Sequence, residues 1–537
     1  MSGHTNPAFF CISEDLHVIS FKPTLLTLLL IGCAQAQHLP RPPLTEAVQN
    51  SWYANTTFYQ VFVRSFQDSD GDGIGDLRGV ASRLEYLKNL GVGAIWLMPI
   101  YPSPSYHGYD VTDHQNIQPE YGTLQDFKTL LEEAHKHNIK VILDWIPNHT
   151  SDQHPWFKDA RRPGSSKRDW YVWKTTNPGW GRPWDNQGQT WHKSGDQFYY
   201  GVFWGGMPDL NWKNPQVKSA MDQAAQFWLD LGVDGFRVDA SRYILEGETD
   251  NRPDSAETLN WTREFTQMVK AHGPDKMVVT EAWIETPTVA KYFVDGQGQD
   301  LGFDFDLQTA LVTGIQTANA TPILETLDGV TRHYPEGAVD GIFVSNHDLG
   351  RPNFTPGQWR VAASLLLTLP GTPFLYYGQE IGMPNGTGPS DEQKRTPMRW
   401  TFERRTGFST AAPWQPFSTQ DPLISVQSQQ EEPTSLLKHH QTLLHIRQQH
   451  GALRTGGYLP LAAPDGVIGF IRQLGKERVL VVVNLQDTGQ QVQLDLGSVS
   501  AGVDTAQSLL GSLEVKAGKA VGTIPAQGLA LLLLNSP

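Results

Sequence analysis

Apolar residues come along this chain in short unbroken runs, separated by stretches in which they recur every third or fourth place. The runs are "FYQVFVRSF" (58–66), "VGAIWLMPI" (92–100), "IKVILDWIPN" (139–148), "VDGFRVDA" (233–240), "DKMVVTEAW" (275–283), "GFDFDL" (302–307), "GIFVSNHD" (341–348) and "GTPFLYYG" (371–378). Unbroken runs of this length predict strands buried on both faces, as in a parallel sheet. Between them "DLRGVASRLEYLKNLG" (76–91), "TLQDFKTLLEEAHKHN" (123–138) and "PQVKSAMDQAAQFWLDLG" (215–232) have helical spacing. Eight strand–helix units predict an α/β fold, a (β/α)8 TIM barrel. A doubly wound open sheet is the alternative, but no glycine-rich phosphate fingerprint follows the first strand.

Residues 150–211 are too long for a strand–helix loop and predict a small inserted domain after the third strand. Past the helix "TSLLKHHQTLLHIRQQHG" (434–451) the texture changes. "GVIGFIRQ", "RVLVVVNL", "QQVQLDL" and "GLALLLLN" are strands separated by turns, which predicts a C-terminal antiparallel β-sandwich domain over 452–537. The expected layout is a presequence (1–36), a Pro-rich linker (37–51), barrel (52–149), insert (150–211), barrel again (212–451) and the β domain.

One apolar run stands apart. "TLLTLLLIGCAQAQ" (24–37) is too short and wrongly flanked for a spanning helix and reads as the apolar part of a signal peptide. Ala34-Gln35-Ala36 is a peptidase site, whereas Leu30-Ile31-Gly32-Cys33 resembles a lipobox that would make Cys33 a lipidated N-terminus. Both exits stay open, beside the blander reading of a disordered cytosolic tail. The first ~17 residues are unlike a signal n-region, which suggests a misassigned start. The expectation is a secreted, periplasmic or cell-envelope bacterial protein, touching membrane only through a lipid anchor at Cys33. Cys11 and Cys33 are the only cysteines, so the remainder has no disulfide.

With 537 residues the chain is too long for one core. Its net charge of −14 and pI near 5.6 argue against nucleic acid or anionic membrane as a partner. The 17 Trp and 16 Tyr are clustered, which suggests flat binding surfaces.

Barrel enzymes carry their chemistry at the C-terminal ends of the strands. There the third strand ends Asp144-Trp145-Ile146-Pro147-Asn148-His149, the fourth Arg237-Val238-Asp239, the fifth Glu281, and the seventh Asn346-His347-Asp348. Arg237 and Asp239 share a face. A lone strand-end acid is more often a cap or an ion pair than a catalyst. Three acids and an arginine converging from different strands are a site.

After the first strand, "FQDSDGDGIGDLRG" (66–79) sets Asp68, Asp70, Asp72, Ile74 and Asp76 at alternate positions. This imitates the start of an EF-hand loop, with Gly73 at the sharp turn, but Gly79 stands where the bidentate Glu belongs. It is either a calcium loop lacking its last ligand or a solvated acidic turn.

The blocks "DWIPNH", "GFRVDA", "TEAW" and "FVSNHD", with "GMPDLN" (206–211) closing the insert, resemble the strand-end motifs of the α-amylase family of retaining α-glucan-active glycosidases. They are in that family's order, and the likeness runs from about residue 52 to the end of the chain. The resemblance implies Asp239 as nucleophile, Glu281 as general acid/base and Asp348 as the third acid that orients sugar hydroxyls. Arg237, Tyr109, Asp110, His149 and His347 match positions around the cleaved sugar ring, and Arg351 matches more loosely. Asp144 and Asn148 would brace the barrel mouth. Arg237 would hold Asp239 ionised, and burial would keep Glu281 protonated. Of the insert's many rings, Trp191, Tyr200 or Phe203 would form a sugar-stacking wall, unless they are the insert's core. Relatives with the "DSDGDGIGDL" pattern carry a structural Ca²⁺ bound by Asp68, Asp70, Asp72, the Ile74 carbonyl and Asp76; Mg²⁺ is the alternative.

The activity implied is hydrolysis of α-1,4 bonds in malto-oligosaccharides or starch, in an α-amylase or α-glucosidase mode. A transglycosylase or trehalose-synthase-type isomerase is the second reading. A non-catalytic binding subunit on the same barrel is the third, disfavoured because all three acids are present. Met207-Pro208-Asp209-Leu210-Asn211 stands between the oligo-1,6-glucosidase and neopullulanase patterns. Ala240, where α-1,6-preferring relatives commonly carry Val, leaves room on the leaving-group side and points to α-1,4 linkage.

Overall fold

The computed structural model describes residues 38–247, 249–497 and 505–535. The signal-like run, both cysteines and the lipobox lie outside the described residues.

Eight parallel strands close into a barrel. They are β1 (Phe58–Val61), β2 (Ala94–Leu97), β3 (Lys140–Trp145) and, past the three insert strands β4 (Trp173–Lys174), β5 (Trp191–Ser194) and β6 (Gln197–Tyr200), β7 (Gly235–Val238), β8 (Met277–Thr280), β9 (Leu301–Phe303), β10 (Val339–Phe343) and β11 (Thr372–Tyr376). The order is β1-β2-β3-β7-β8-β9-β10-β11, with β11 pairing back onto β1. Phe58 therefore has Ala94 on one side and Phe374 on the other, and the Phe58 and Phe374 rings stack at 4.4 Å.

The two-residue period sorts each strand. Phe58, Ala94, Ile142, Met277, Val279, Leu301 and Phe303 fill the interior, while Tyr59, Ile95, Val141 and Phe236 face the helices. Toward the strand C-termini the interior turns polar: Gln60, Arg237, Glu281, Ser345 and Asn346 line the same cavity as Trp96 and Phe303. That change of layer builds the site.

Two expected elements are shorter than their apolar runs. The first strand stops at Val61, and Val63–Phe66 is a helical turn closed by Ser65 N–H donating to Phe62 O at 3.0 Å. A buried turn and a buried strand read alike as apolar sequence. The helix over 76–91 is two, Leu77–Ser82 and Leu84–Leu90, parted at Arg83 (φ −107°, ψ 5°). There the Arg83 guanidinium lies over Trp400 at 4.2 Å, and its Nε donates to Gln67 Oε1 at 2.8 Å.

In the insert, β4-β6-β5 form an antiparallel sheet. After the helix Leu436–Gln449 come β12 (Gly457–Leu461), β13 (Val467–Leu474), β14 (Glu477–Asn484), β15 (Gln490–Asp495), β16 (Ala506–Leu510), β17 (Glu514–Lys516), β18 (Lys519–Ile524) and β19 (Leu529–Leu534). They make a five-stranded sheet, β12-β13-β14-β19-β16, and a three-stranded one, β15-β18-β17. Ile471, Leu480 and Val482 of the first pack with Val492, Leu494 and Ile524 of the second, as two facing sheets require.

Candidate active site

Arg237 organises the barrel mouth. It points inward from β7 and is 1% exposed. Its Nη1 donates to Asp144 Oδ1 and to Asp239 Oδ1, both at 2.7 Å, and its Nη2 pairs with Glu281 Oε1. One guanidinium thus holds acids from β3, the end of β7 and the end of β8. The other oxygen of Glu281 accepts the Ala240 N–H at 3.2 Å. Asp144 Oδ2 accepts from Tyr109 Oη (3.0 Å) and Trp96 Nε1 (3.3 Å), so Asp144 braces the mouth and is closed to substrate.

Asp348 stands at the end of β10. Its Oδ1 accepts from Arg395 Nη2 at 3.0 Å, and its Oδ2 is 3.0 Å from His347 Nε2. Tyr109 Oη lies 2.6 Å from the same Nε2. With the Gln60 amide donating to His347 Nδ1 at 2.8 Å, the ring proton is assigned to Nε2, which faces Asp348.

Burial pushes the Asp239 carboxyl up, and Arg237 pulls it back. Glu281 is pushed well above the ordinary glutamate range, first by burial and then by the charges of Asp239 and Asp348, against the pull of Arg237. Arg237 therefore opposes the rise at Asp239 and does not reverse it, in contrast to the expectation of a simple depression. Burial drives His347 well below its ordinary value, with Arg395 and Arg237 adding to the effect, and lowers His149 to about 4. Both rings are neutral hydrogen-bonding groups at neutral pH.

The remaining expected ring-binding residues take different places. His149 is buried with Nε2 3.2 Å from Tyr109 O. Asp110 accepts from Ser103 Oγ at 2.5 Å and from Ser105 Oγ. Arg351 spends its guanidinium on Lys394 O (2.9 Å) and Tyr377 O (2.5 Å), a bracing role. The arginine that reaches Asp348 is Arg395, which sequence reasoning missed. It lies in an aperiodic loop after β11. Gln60 was missed as well, although a polar residue inside the all-apolar run "FYQV" was a usable signal.

Trp191 and Tyr200 are each 1% exposed and pack in the insert's core, so neither is a sugar wall. Phe203 is half-buried, edge-on to His149 at 5.3 Å and stacked with Trp184 at 5.6 Å. Trp184 is 44% exposed and also meets Tyr243 edge-on at 5.6 Å.

In the acidic loop, carboxylate oxygens of Asp68, Asp70 and Asp76 lie within 4.8 Å of one another; Asp72 is not in this group. Asp68 is buried and accepts the N–H groups of Asp70 and Gly71 (3.0 and 2.7 Å) on Oδ1 and that of Gly73 (2.8 Å) on Oδ2. Asp76 caps the next helix through Gly79 N–H at 2.7 Å. Gly71 and Gly73 have φ of 85° and 97°, and a side chain at Gly73 would collide with Ala412 O. Three hard oxygens in a tight loop fit an oxygen-preferring cation such as Ca²⁺.

The model of the α-amylase catalytic domain matches residues 60–456. The chain is 39% identical over 443 residues to α-amylase 3 of Dictyoglomus thermophilum, covering 81% of this chain and 85% of that protein. To the trehalose synthase/amylase of Mycobacterium tuberculosis it is 35% identical over 507 residues, covering 83% and 84%. The crystal structure of an α-amylase from H. orenii matches with a TM-score of 0.81 at 36% identity, over 90% of this chain and all of that one.

Proposed function

The chain belongs to the α-amylase family of α-glucan-active glycoside hydrolases, and from that premise we propose that it hydrolyses α-1,4 bonds of malto-oligosaccharides by double displacement with retention. One observation carries the reading: Asp239 and Glu281 meet the two Nη atoms of a single guanidinium. Two carboxyl groups held side by side on one guanidinium suit the short separation of a retaining pair, about 5 Å, rather than the wider one of an inverting pair.

Asp239 attacks the anomeric carbon, and the bond to the leaving oxygen breaks as Glu281 gives that oxygen its proton. Glu281, now a carboxylate, takes a proton from water, whose oxygen attacks the same carbon and releases Asp239. Asp348, held by Arg395 and His347, binds ring hydroxyls. Main-chain linkage is α-1,4, with weaker action on mixed-linkage pullulan.

In the loop after β1, Asp68, Asp70 and Asp76 would hold Ca²⁺, or Mg²⁺, which when bound supplies charge neutralisation and cross-linking rather than catalysis. The loop follows the first strand, and none of its acids is among the partners of Arg237 or Arg395.

A second reading is transfer of the glucosyl group to a sugar. It is favoured by the likeness to a relative named trehalose synthase/amylase. A ¹H NMR time course on maltose, maltoheptaose, panose and pullulan separates the two. The proposal requires α-configured reducing products of hydrolysis to appear first. Trehalose accumulating from maltose selects the second reading, and initial β-anomer overturns retention.

A further inference from the structure

Opposite the carboxylates, where the strands begin, the barrel carries buried positive charge. Thr56 and Thr57 lead into β1 and Gly93 into β2. Against them lies the helix Leu436–Gln449 with Arg447, followed by Arg454 in the short helix Gly451–Thr455. Between these elements is a cavity of about 120 Å³, lined among others by Asn55, Thr56, Gly91, Arg447, Gln448 and Arg454.

Arg447 is 2% exposed. Its Nη1 donates to Leu367 O (3.2 Å) and Leu453 O (2.6 Å), its Nη2 to Gly371 O (2.6 Å), and its Nε has no partner. Partly exposed Arg454 donates from Nε to Asn55 Oδ1 at 3.0 Å and from Nη1 to Gln448 O. Arg472, 1% exposed and close enough to Arg447 to feel its charge, bonds only carbonyls: Thr368 O, Gly456 O and Gly457 O. Among the described residues none of the three makes an ion pair. The neighbouring acid, Glu477, is committed to His450 Nδ1 and Ala452 N–H, both at 2.7 Å.

Carbonyls satisfy the hydrogens of a guanidinium and leave its charge in place. Burying unpaired charge is costly. Burial and the charge of Arg454 together bring Arg447 down to about 9. A chain of net charge −14 has many acids to spare, yet no acid lines this cavity.

We propose that this cavity is an anion site for one small oxyanion of the phosphate or sulfate class, reached by Arg454 and balanced by the buried charge of Arg447. The cavity has room for several waters or one tetrahedral oxyanion. The forked guanidinium matches such an oxyanion better than a halide. Bound there, the anion ties the start of β1 to the last barrel helix and, through Arg454, to the entry of the β domain. Its role is stabilising, at the end of the barrel remote from the acids.

The test is thermal unfolding of the wild type and Arg454→Gln, with inorganic phosphate raised to about 10 mM against chloride at constant ionic strength. The wild type should gain about 3 °C and saturate, as binding to the folded state alone requires, and Arg454→Gln should gain nothing. A rise shared by both proteins is general salting and overturns the site. An equal effect of chloride overturns the oxyanion. Titration calorimetry of phosphate into the wild type needs no variant: one saturable site is expected, and its absence overturns the proposal.

Discussion

Ala240 sits in the left-handed region, at φ 50° and ψ 31°, and from there donates its N–H to Glu281 Oε2 at 3.2 Å. The residue after the nucleophile thus positions the acid. A non-glycine residue there costs about 1–2 kcal/mol, and a β-branched one more. Ala240→Gly should therefore keep the Tm of the wild type or raise it.

Ala240→Val bears on linkage. Its side chain narrows the leaving-group side and should raise the ratio of isomaltose to maltotriose hydrolysis, by ~10–200-fold at most. The same valine must take a backbone conformation it disfavours, so Tm and total activity should fall together with the shift. A wild-type Tm in Ala240→Val would refute the strain argument, and a wild type that already prefers isomaltose in kcat/KM would refute the linkage assignment.

Asp239→Asn and Glu281→Gln should each fold and lose at least ~10³-fold in kcat/KM, about 4 kcal/mol of transition-state stabilisation. Circular dichroism checks the fold, and rates on maltotriose check the loss. A rate near that of the wild type from either variant removes that residue from its role.

Much of this site was legible because its carriers sit at ends of apolar runs. Asp144 and Arg237 are penultimate in β3 and β7, while Asp239, Glu281 and Asp348 follow β7, β8 and β10. Arg395 was not legible. β11 lies beside β10, but Arg395 comes far along the loop after β11, which must fold back over the end of β10, and nothing periodic in "DEQKRTPMRW" announces it. The aromatic wall failed for a related reason: Trp191 and Tyr200 pair across β5 and β6, and their own sheet consumes them. Side-chain commitment is a tertiary fact, as Arg351 shows by turning to Tyr377 O while Arg395 takes Asp348.

The pH profile follows from Glu281. It donates its proton in the first step, and burial with nearby acids holds its pKa well above the ordinary value. Hydrolysis of maltotriose should fall on the alkaline side as Glu281 ionises. With α-glucosyl fluoride, whose leaving group needs no proton, that limb should vanish from the first step. The stability sign is fixed too. The folded protein holds this proton more tightly than the unfolded chain, so Glu281 stabilises below its unfolded pKa and the contribution is lost as pH rises through the folded value. Glu281→Gln should flatten the alkaline decline of Tm; an equally steep decline in both proteins would exclude Glu281 as its source.

The acidic loop gives the last test. Asp68, Asp70 and Asp76 converge, and Asp72 stands outside their group although the sequence pattern counts all four alike. A cation bound only by the folded state stabilises by mass action, about 2.7 kcal/mol at a hundredfold excess over Kd. Chelator should lower the Tm and added Ca²⁺ restore it. Asp70→Ala should abolish that response, because Asp70 is exposed and its loss removes an oxygen without emptying the core. Asp72→Ala should keep most of it. Loss of the response in both variants would return the ligand set to the full alternating pattern. If chelator leaves the Tm unchanged, and protein purified without chelator contains no divalent metal, the loop is an acidic turn held by its own hydrogen bonds, such as Asp68 Oδ1 to Gly71 N–H at 2.7 Å.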